Sequence, residues 1–262
     1  MTDIANVTSE IDDHHTGWLT FRDAPRRHAL STALLQQMDA QLLQFAARQV
    51  PVVVLGSGIG EKVWSAGHDI TELADEHDPL ASGRPLEQVL RRVRHYPGVV
   101  IAMVSGSVWG GAVDLVMSSD LVIADHSASF AMTPANIGLA YSTSGLLRFF
   151  NNLPVHLLKE MFFCATPLTA AQASQFGVLN RLVSSQVLRA TVQEMAAAIA
   201  SKAPLAIRAV KEQLRILEDM QPVPVDAMER IAALRREACE SADMAEGVAA
   251  FMARRPPRFS GV

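Results

Sequence analysis

Two glycine-containing turns constrain this chain more than anything else in it: Ser65-Ala66-Gly67-His68-Asp69-Ile70 and Gly106-Ser107-Val108-Trp109-Gly110-Gly111. Each follows an apolar, strand-like run, and the second leads straight into an apolar helical pattern. Gly17 to Phe21 alternates as a strand does, while Val52 to Leu55, Val99 to Val104 and Leu121 to Ile123 are continuous apolar runs of the kind that a strand buried on both faces carries. Strands alternating with helical segments predict an α/β arrangement around a largely parallel sheet.

The 262 residues suffice for one large domain or a domain with an appendage. With 49% hydrophobic and 19% charged residues the chain supports a substantial core rather than disorder. A net charge of −4 without a basic face argues against a nucleic-acid partner. Cys164 and Cys239 are too few for a disulfide framework, and no Cys/His spacing suggests zinc. Met1 to Asn6 has neither a basic nor an apolar leader region, so no signal peptide and a reducing, cytoplasmic setting are expected. Val99 to Ala124 is long and apolar enough to imitate a membrane span, but Ser105-Gly106-Ser107, Asp114 and Ser118-Ser119-Asp120 interrupt it and fit strand–turn–helix–turn–strand better; no membrane partner is expected.

Ser31 and Thr32 can cap a helix with apolar positions at Leu34, Leu35, Met38, Leu42, Leu43 and Phe45. Glu72 to Pro97, with Pro79, Gly83 and Pro85 ahead of a helical pattern at Leu86, Val89, Leu90 and Val93, reads as an insertion over the turn that carries His68. From Val155 onward the chain reads as helical, with a break near Gly177, a strand at Leu179 to Val183 and amphipathic stretches over Leu188 to Ala200, Pro204 to Leu217 and Val225 to Ala253. Such a tail packs either on its own core or on a neighbouring subunit, and the pattern alone does not choose.

Two tight turns can aim two backbone N–H groups at one point, an oxyanion hole that suits any reaction forming an enolate from a thioester. Other constellations are weak. There is no Gly-x-Ser-x-Gly elbow and no Gly-x-Gly-x-x-Gly turn, and Asp12-Asp13-His14-His15 reads as a solvated segment rather than a metal site.

These turns, together with Arg26-Arg27-His28-Ala29-Leu30, Trp64, Met117-Ser118-Ser119-Asp120-Leu121, Phe130-Ala131-Met132-Thr133-Pro134, Tyr141 and Glu246 to Phe251, resemble the crotonase, or enoyl-CoA hydratase/isomerase, superfamily over essentially the whole chain. His68, Trp109 and Tyr141 together favour its decarboxylase branch. The resemblance implies a crotonase-like spiral of ββα units over residues 1–200 that holds the CoA site, and a helical region over 201–262 that packs on the core or a neighbouring subunit. It implies acyl-CoA thioester substrates, no cofactor or metal, and homotrimers that pair into hexamers. The N–H groups of His68 and Gly111 would form the oxyanion hole, with Gly110 leaving room for close approach. Arg26, Arg27 and the backbone at Ala29 and Ala66 would bind CoA, although Arg26 and Arg27 read equally well as surface charges. Trp109 would wall the acyl pocket, and Ile70, Thr133 and Pro134 would be further substrate-binding residues. Lys202, Lys211, Arg254, Arg255 and Arg258 are further candidates for the 3′-phosphate, acting from a neighbouring subunit.

The chain departs from the hydratase pattern at both of its glutamates: one position is Asp114, the other Ala135. Hydration needs an acid and a base across the double bond, and Ala135 cannot exchange a proton. Decarboxylation of a malonyl-type thioester needs less, namely a carboxylate held out of the thioester plane and a stabilised enolate. The resemblance thus implies loss of carbon dioxide from methylmalonyl-CoA, with malonyl-CoA as a further candidate, and Tyr141 as hydrogen-bond donor to the substrate carboxylate. The residues leave other readings open. Tyr141 can be a core tyrosine. Asp114 can be a base, a buried anchor or both, so an isomerase remains an alternative. The His68 side chain can shield the pocket or help reprotonate the α-carbon. Asp69 reads as a cap. A CoA-binding scaffold without activity is the third reading.

Overall fold

The computed structural model describes residues 6–73, 80–81, 83–220 and 223–261; Met1 to Ala5 and Pro79, named above, lie outside them. The described chain starts as a hairpin, with β1 (Val7–Ile11) antiparallel to β2 (Thr16–Phe21). Asp12 forms its turn, accepting from the N–H groups of His14 and Thr16 and from Trp18 Nε1, so this acidic residue has a structural task. Helix α1 (Thr32–Ala47) follows, capped by Ser31, whose hydroxyl accepts from Leu34 N–H. Leu34, Leu35, Met38, Leu42 and Phe45 face the core as expected, whereas Leu43 is exposed.

A repeating unit then places one strand in a large sheet and the next in a small one. Strands β3 (Val52–Gly56) and β4 (Val63–Ser65) precede α2 (Pro85–Arg94); β5 (Val99–Val104) and β6 (Ser107–Trp109) precede α3 (Gly111–Met117); β7 (Leu121–Asp125) and β8 (Ser129–Ala131) precede α4 (Thr143–Asn152). The remainder is α5 (Val155–Cys164), β9 (Leu168–Thr169), α6 (Ala170–Gln175), β10 (Arg181–Val183), α7 (Ser185–Ala200), α8 (Pro204–Asp219), α9 (Val225–Cys239) and α10 (Ala242–Met252). The large sheet has the order β1-β2-β3-β5-β7-β10, parallel except for the first pair, and the small sheet has β4-β6-β8-β9. This is the expected spiral of ββα units. The apolar stretch from Val99 to Ala124 is shared among β5, β6, α3 and β7, and no helix among the described residues is long and apolar enough to cross a membrane.

The continuous apolar runs have a simple cause. Alternate side chains of β3 and β5 point to opposite faces, and both faces are covered. Val53, Leu55, Val100 and Ala102 join the main core, while Val52, Val54, Ile101 and Met103 pack under Leu188, Val192 and Ala196 of α7.

Two expectations about the later chain change. Helical structure begins at Thr143, not Val155, so α4 is an additional element. Val225 to Ala253 is not one pattern but two helices, divided at Ser241, whose hydroxyl caps α10 by accepting from Met244 N–H. Helix α10 returns to the core through Met244 and Val248, whereas α8 and α9 bury no residue of their own within this chain.

Candidate active site

The two glycine turns meet. Gly67 has φ +81°, and a Cβ there would lie 2.3 Å from the Trp109 carbonyl oxygen and 3.3 Å from Gly111 N, so only glycine fits both the backbone angle and the approach. The His68 nitrogen in turn lies 3.8 Å from where a Cβ on Gly111 would stand. Gly111 is the first residue of α3, so its N–H has no acceptor within the helix, and the helix's positive end adds to it. Among the described residues neither His68 N–H nor Gly111 N–H donates to a main-chain carbonyl of the turns. The first turn is braced from the opposite side: Leu30 N–H donates to Gly67 O, Ala66 N–H to Arg27 O, and Ser65 Oγ to His28 O.

These amides border a cavity of about 770 Å³, large enough for an extended ligand. Of the residues singled out from the sequence, Arg27, Ala66, His68, Ile70, Trp109, Gly110, Gly111, Thr133, Pro134 and Tyr141 line it. Arg26, Ala29 and Asp114 do not. Arg26 is exposed and stands 3.8 Å from Asp69. Ala29 and Ala66 both commit their N–H groups inside the turn, to Arg26 O and Arg27 O. Asp69 caps the short 3-10 turn Ile70–Glu72 by accepting from Thr71 N–H, as its position suggested. Leu73, Leu80 and Leu86 line the cavity beside His68, so the described parts of the Glu72 to Pro97 segment do lie over that turn. Burial holds the His68 imidazole below its ordinary pKa, against the opposing pull of Glu72 and Asp69. Its buried Nδ1 has no partner among the described residues.

Asp114 and Tyr141 form the innermost part of the site. Asp114 is 1% exposed and lies behind Tyr141. The Tyr141 hydroxyl donates to Asp114 Oδ2 at 2.8 Å. Arg148 of α4 donates from Nε to Oδ1 at 2.7 Å and from Nη2 to Oδ2 at 2.8 Å, and its two terminal nitrogens also reach Glu87 of α2 at 3.1 Å each. Burial raises the Tyr141 hydroxyl well above its ordinary pKa, and the neighbouring Asp114 charge adds to the shift. Burial pulls the Arg148 guanidinium down, but the hydrogen bonds to Asp114 and Glu87 outweigh it and keep Arg148 charged. The geometry fits the buried-anchor reading of Asp114: among the described residues its side chain accepts only from Arg148 and Tyr141, and it does not line the cavity. The Tyr141 proton points at Asp114, not into the cavity where a substrate carboxylate was expected to receive it.

Sequence reading missed Arg148 and Glu87. A single arginine within Gly145-Leu146-Leu147-Arg148-Phe149-Phe150 is the signal that could have revealed the first, because a charge in an apolar stretch is buried only with a partner. It also missed Phe163, Phe251 and Phe259, which wall the cavity from α5, α10 and the C-terminal tail. That tail is tied to α10 by Glu246, held at a pKa of about 2 by hydrogen bonds from Arg255 and from Arg258 N–H. Of the 3′-phosphate candidates, Arg255 lines the cavity while pairing with Glu246, and Lys211 lies away from it, donating to Asp120, Gly98 O and Val93 O.

Comparison with known proteins identifies the family. The sequence profile of the enoyl-CoA hydratase/isomerase family matches residues 17–262, and the chain belongs to that family. It is 38% identical to the methylmalonyl-CoA decarboxylase of Escherichia coli K12 over 93% of this chain and 94% of that protein. It is 31% identical to the carnitinyl-CoA dehydratase of Citrobacter koseri over 91% of this chain and 93% of that protein. A solved structure of methylmalonyl-CoA decarboxylase in complex with 2-nitronate-propionyl-CoA superposes with a TM-score of 0.95 at 37% identity, covering 98% of this chain and 99% of that one.

Proposed function

We propose that this protein decarboxylates methylmalonyl-CoA, and malonyl-CoA as a second substrate, without a cofactor. The observation that carries the reading is the acyl end of the cavity, where neither hydratase carboxylate is available. Ala135 stands at one position, and at the other Asp114 is sequestered by Arg148 and Tyr141. A hydratase or isomerase would lack its base there, whereas decarboxylation does not require one.

In the proposed step the bond between the α-carbon and the carboxylate breaks. Its electron pair enters the thioester enolate, carbon dioxide leaves neutral, and the α-carbon then takes up a proton to give propionyl-CoA. The enolate oxygen is received by the N–H groups of His68 and Gly111; each such donor is worth about 10²–10³ in turnover. The apolar wall of Ile70, Leu86 and Trp109 keeps water from the leaving carboxylate. Arg27 and the Ala66 carbonyl serve the CoA moiety. Tyr141 marks the acyl end and offers its phenol oxygen, with Thr133 as the hydroxyl that can meet the carboxylate.

The same proposal includes a homotrimer or a pair of trimers. Leu205, Leu214, Leu217, Val225 and Leu234 on α8 and α9 are each more than half exposed, an apolar surface that a second copy would cover. Light scattering of the purified protein should give three or six times the monomer mass, and a monomer would refute this part. A cytoplasmic location fits the two unpaired cysteines. The activity itself is tested by a mass-spectrometric time course on methylmalonyl-CoA, malonyl-CoA and crotonyl-CoA in parallel. Loss of carbon dioxide from the first two with crotonyl-CoA intact is expected. Hydration of crotonyl-CoA with intact malonyl thioesters would sink the reading and return Asp114 to the role of base.

A further inference from the structure

The cluster behind Tyr141 contains more charge than pairing requires. One guanidinium, on Arg148, faces two carboxylates, Asp114 and Glu87, with side chains 7%, 1% and 12% exposed. Arg148 and Asp114 alone would make a neutral, fully hydrogen-bonded pair. The added carboxylate leaves a formal charge of −1 in a sheltered site, which costs stability unless it has a use. The Tyr141 hydroxyl donates its hydrogen bond to this cluster, so the negative end of the phenol dipole is left toward the cavity. The amides of His68 and Gly111 border the same cavity, that of Gly111 at the positive end of α3.

We propose that Glu87, acting through Arg148, Asp114 and Tyr141, sets a fixed negative potential at the acyl end that drives the reaction electrons toward the oxyanion hole. This rests on the decarboxylase reading. The substrate carboxylate carries its charge toward the cluster in the bound state and loses it as neutral carbon dioxide forms. The charge then resides on the thioester oxygen, farther from Glu87 and against the two amides. The cluster therefore raises the ground state more than the transition state, which is a gain in kcat. Glu87 touches no substrate and is a positioning residue, set on α2 next to Leu86 of the cavity wall.

Glu87→Gln tests this: the amide oxygen keeps one of the two acceptors for Arg148, while the charge and the second acceptor are lost. Affinity is measured with carboxypropyl-CoA, a thioether that bears the carboxylate and cannot decarboxylate, and with propionyl-CoA, which lacks the carboxylate. In the variant, carboxypropyl-CoA should bind about tenfold tighter, the order set by one unit charge at roughly 10 Å in a medium of effective dielectric about 20. Propionyl-CoA should bind within about twofold of the wild type, and kcat and KM for methylmalonyl-CoA should fall together by about tenfold. Asp114→Asn removes the same charge from the other carboxylate and should shift the two ligands in the same directions. A merely structural role predicts the opposite split, with both ligands bound more weakly and KM raised; that result, or unchanged affinity for carboxypropyl-CoA in both variants, overturns the inference. A wild type that decarboxylates while Glu87→Gln treats the two ligands alike removes the inference alone. A wild type that leaves methylmalonyl-CoA intact removes the functional reading and the inference with it.

Discussion

Helix α3 is flanked by two carboxylate–cation clusters of similar chemistry and different purpose. In its first turn Asp114 is 1% exposed and meets Arg148, while just beyond its last turn Asp120 has a side chain one-quarter exposed and meets Lys211 at 2.7 Å. Around Asp120 the other partners are backbone: Val100 N–H donates to it, and Lys211 donates to Gly98 O and Val93 O, so α8 is pinned to the sheet. Around Asp114 the third partner is Tyr141, which lines the cavity. Burial and ion pairing alone therefore do not mark a functional site; the direction in which the remaining partner points does.

The sharpest way to break the comparison is to remove each cation. Arg148→Met strands two buried carboxylates, for which about 3–5 kcal/mol of destabilisation and loss of turnover are expected; denaturant unfolding and the decarboxylation assay measure both. Tyr141→Phe takes away the link that the Asp120 cluster lacks. Turnover should fall, roughly tenfold, because the acyl end loses the phenol oxygen and Asp114 loses a donor, and kinetics equal to the wild type would take Tyr141 out of the mechanism.

Lys211→Met should cost less, about 1–2 kcal/mol, because Asp120 keeps some contact with solvent and its hydrogen bond from Val100. It should leave KM for the CoA thioester unchanged. A raised KM would restore Lys211 as a phosphate ligand. The smallest effect concerns pH. Burial holds Asp120 above the ordinary carboxylate pKa in spite of Lys211, so the folded state binds its proton more tightly than the unfolded state. The stability difference between wild type and Asp120→Asn should therefore favour the wild type more at pH 3.5 than at pH 7, and should decline as pH rises past about 4. Paired denaturation curves at the two pH values would show the reverse if Lys211 dominated.

Much of the framework was legible because it depends on local rules. The runs at Val52, Val99 and Leu121 could only be strands covered on both faces, and Ser31 was readable as a cap from its place before an apolar period. The small sheet was not legible. Strands β4, β6 and β8 have three residues each and β9 has two, too few to carry a periodicity of their own. Helix α4 was hidden for a different reason. Leu146 and Phe150 are exposed while Arg148 is buried, so the apolar pattern of this helix does not show which residues pack inward. The pocket residues Phe251 and Phe259 lie near the far end of the chain, where nothing local announces that the tail folds back.

The sequence by itself determined the alternation of strands and helices, the two glycine turns with their amides, and the absence of a proton carrier at Ala135. These follow from backbone sterics and residue chemistry, which act over a few neighbouring positions. Only the tertiary structure decided that Asp114 accepts hydrogen bonds from Tyr141 and Arg148, the arrangement behind its proposed role as an anchor. The groups that disarm it, Tyr141, Arg148 and through Arg148 Glu87, come from segments 27 to 34 residues away, and electrostatics acts through space rather than along the chain.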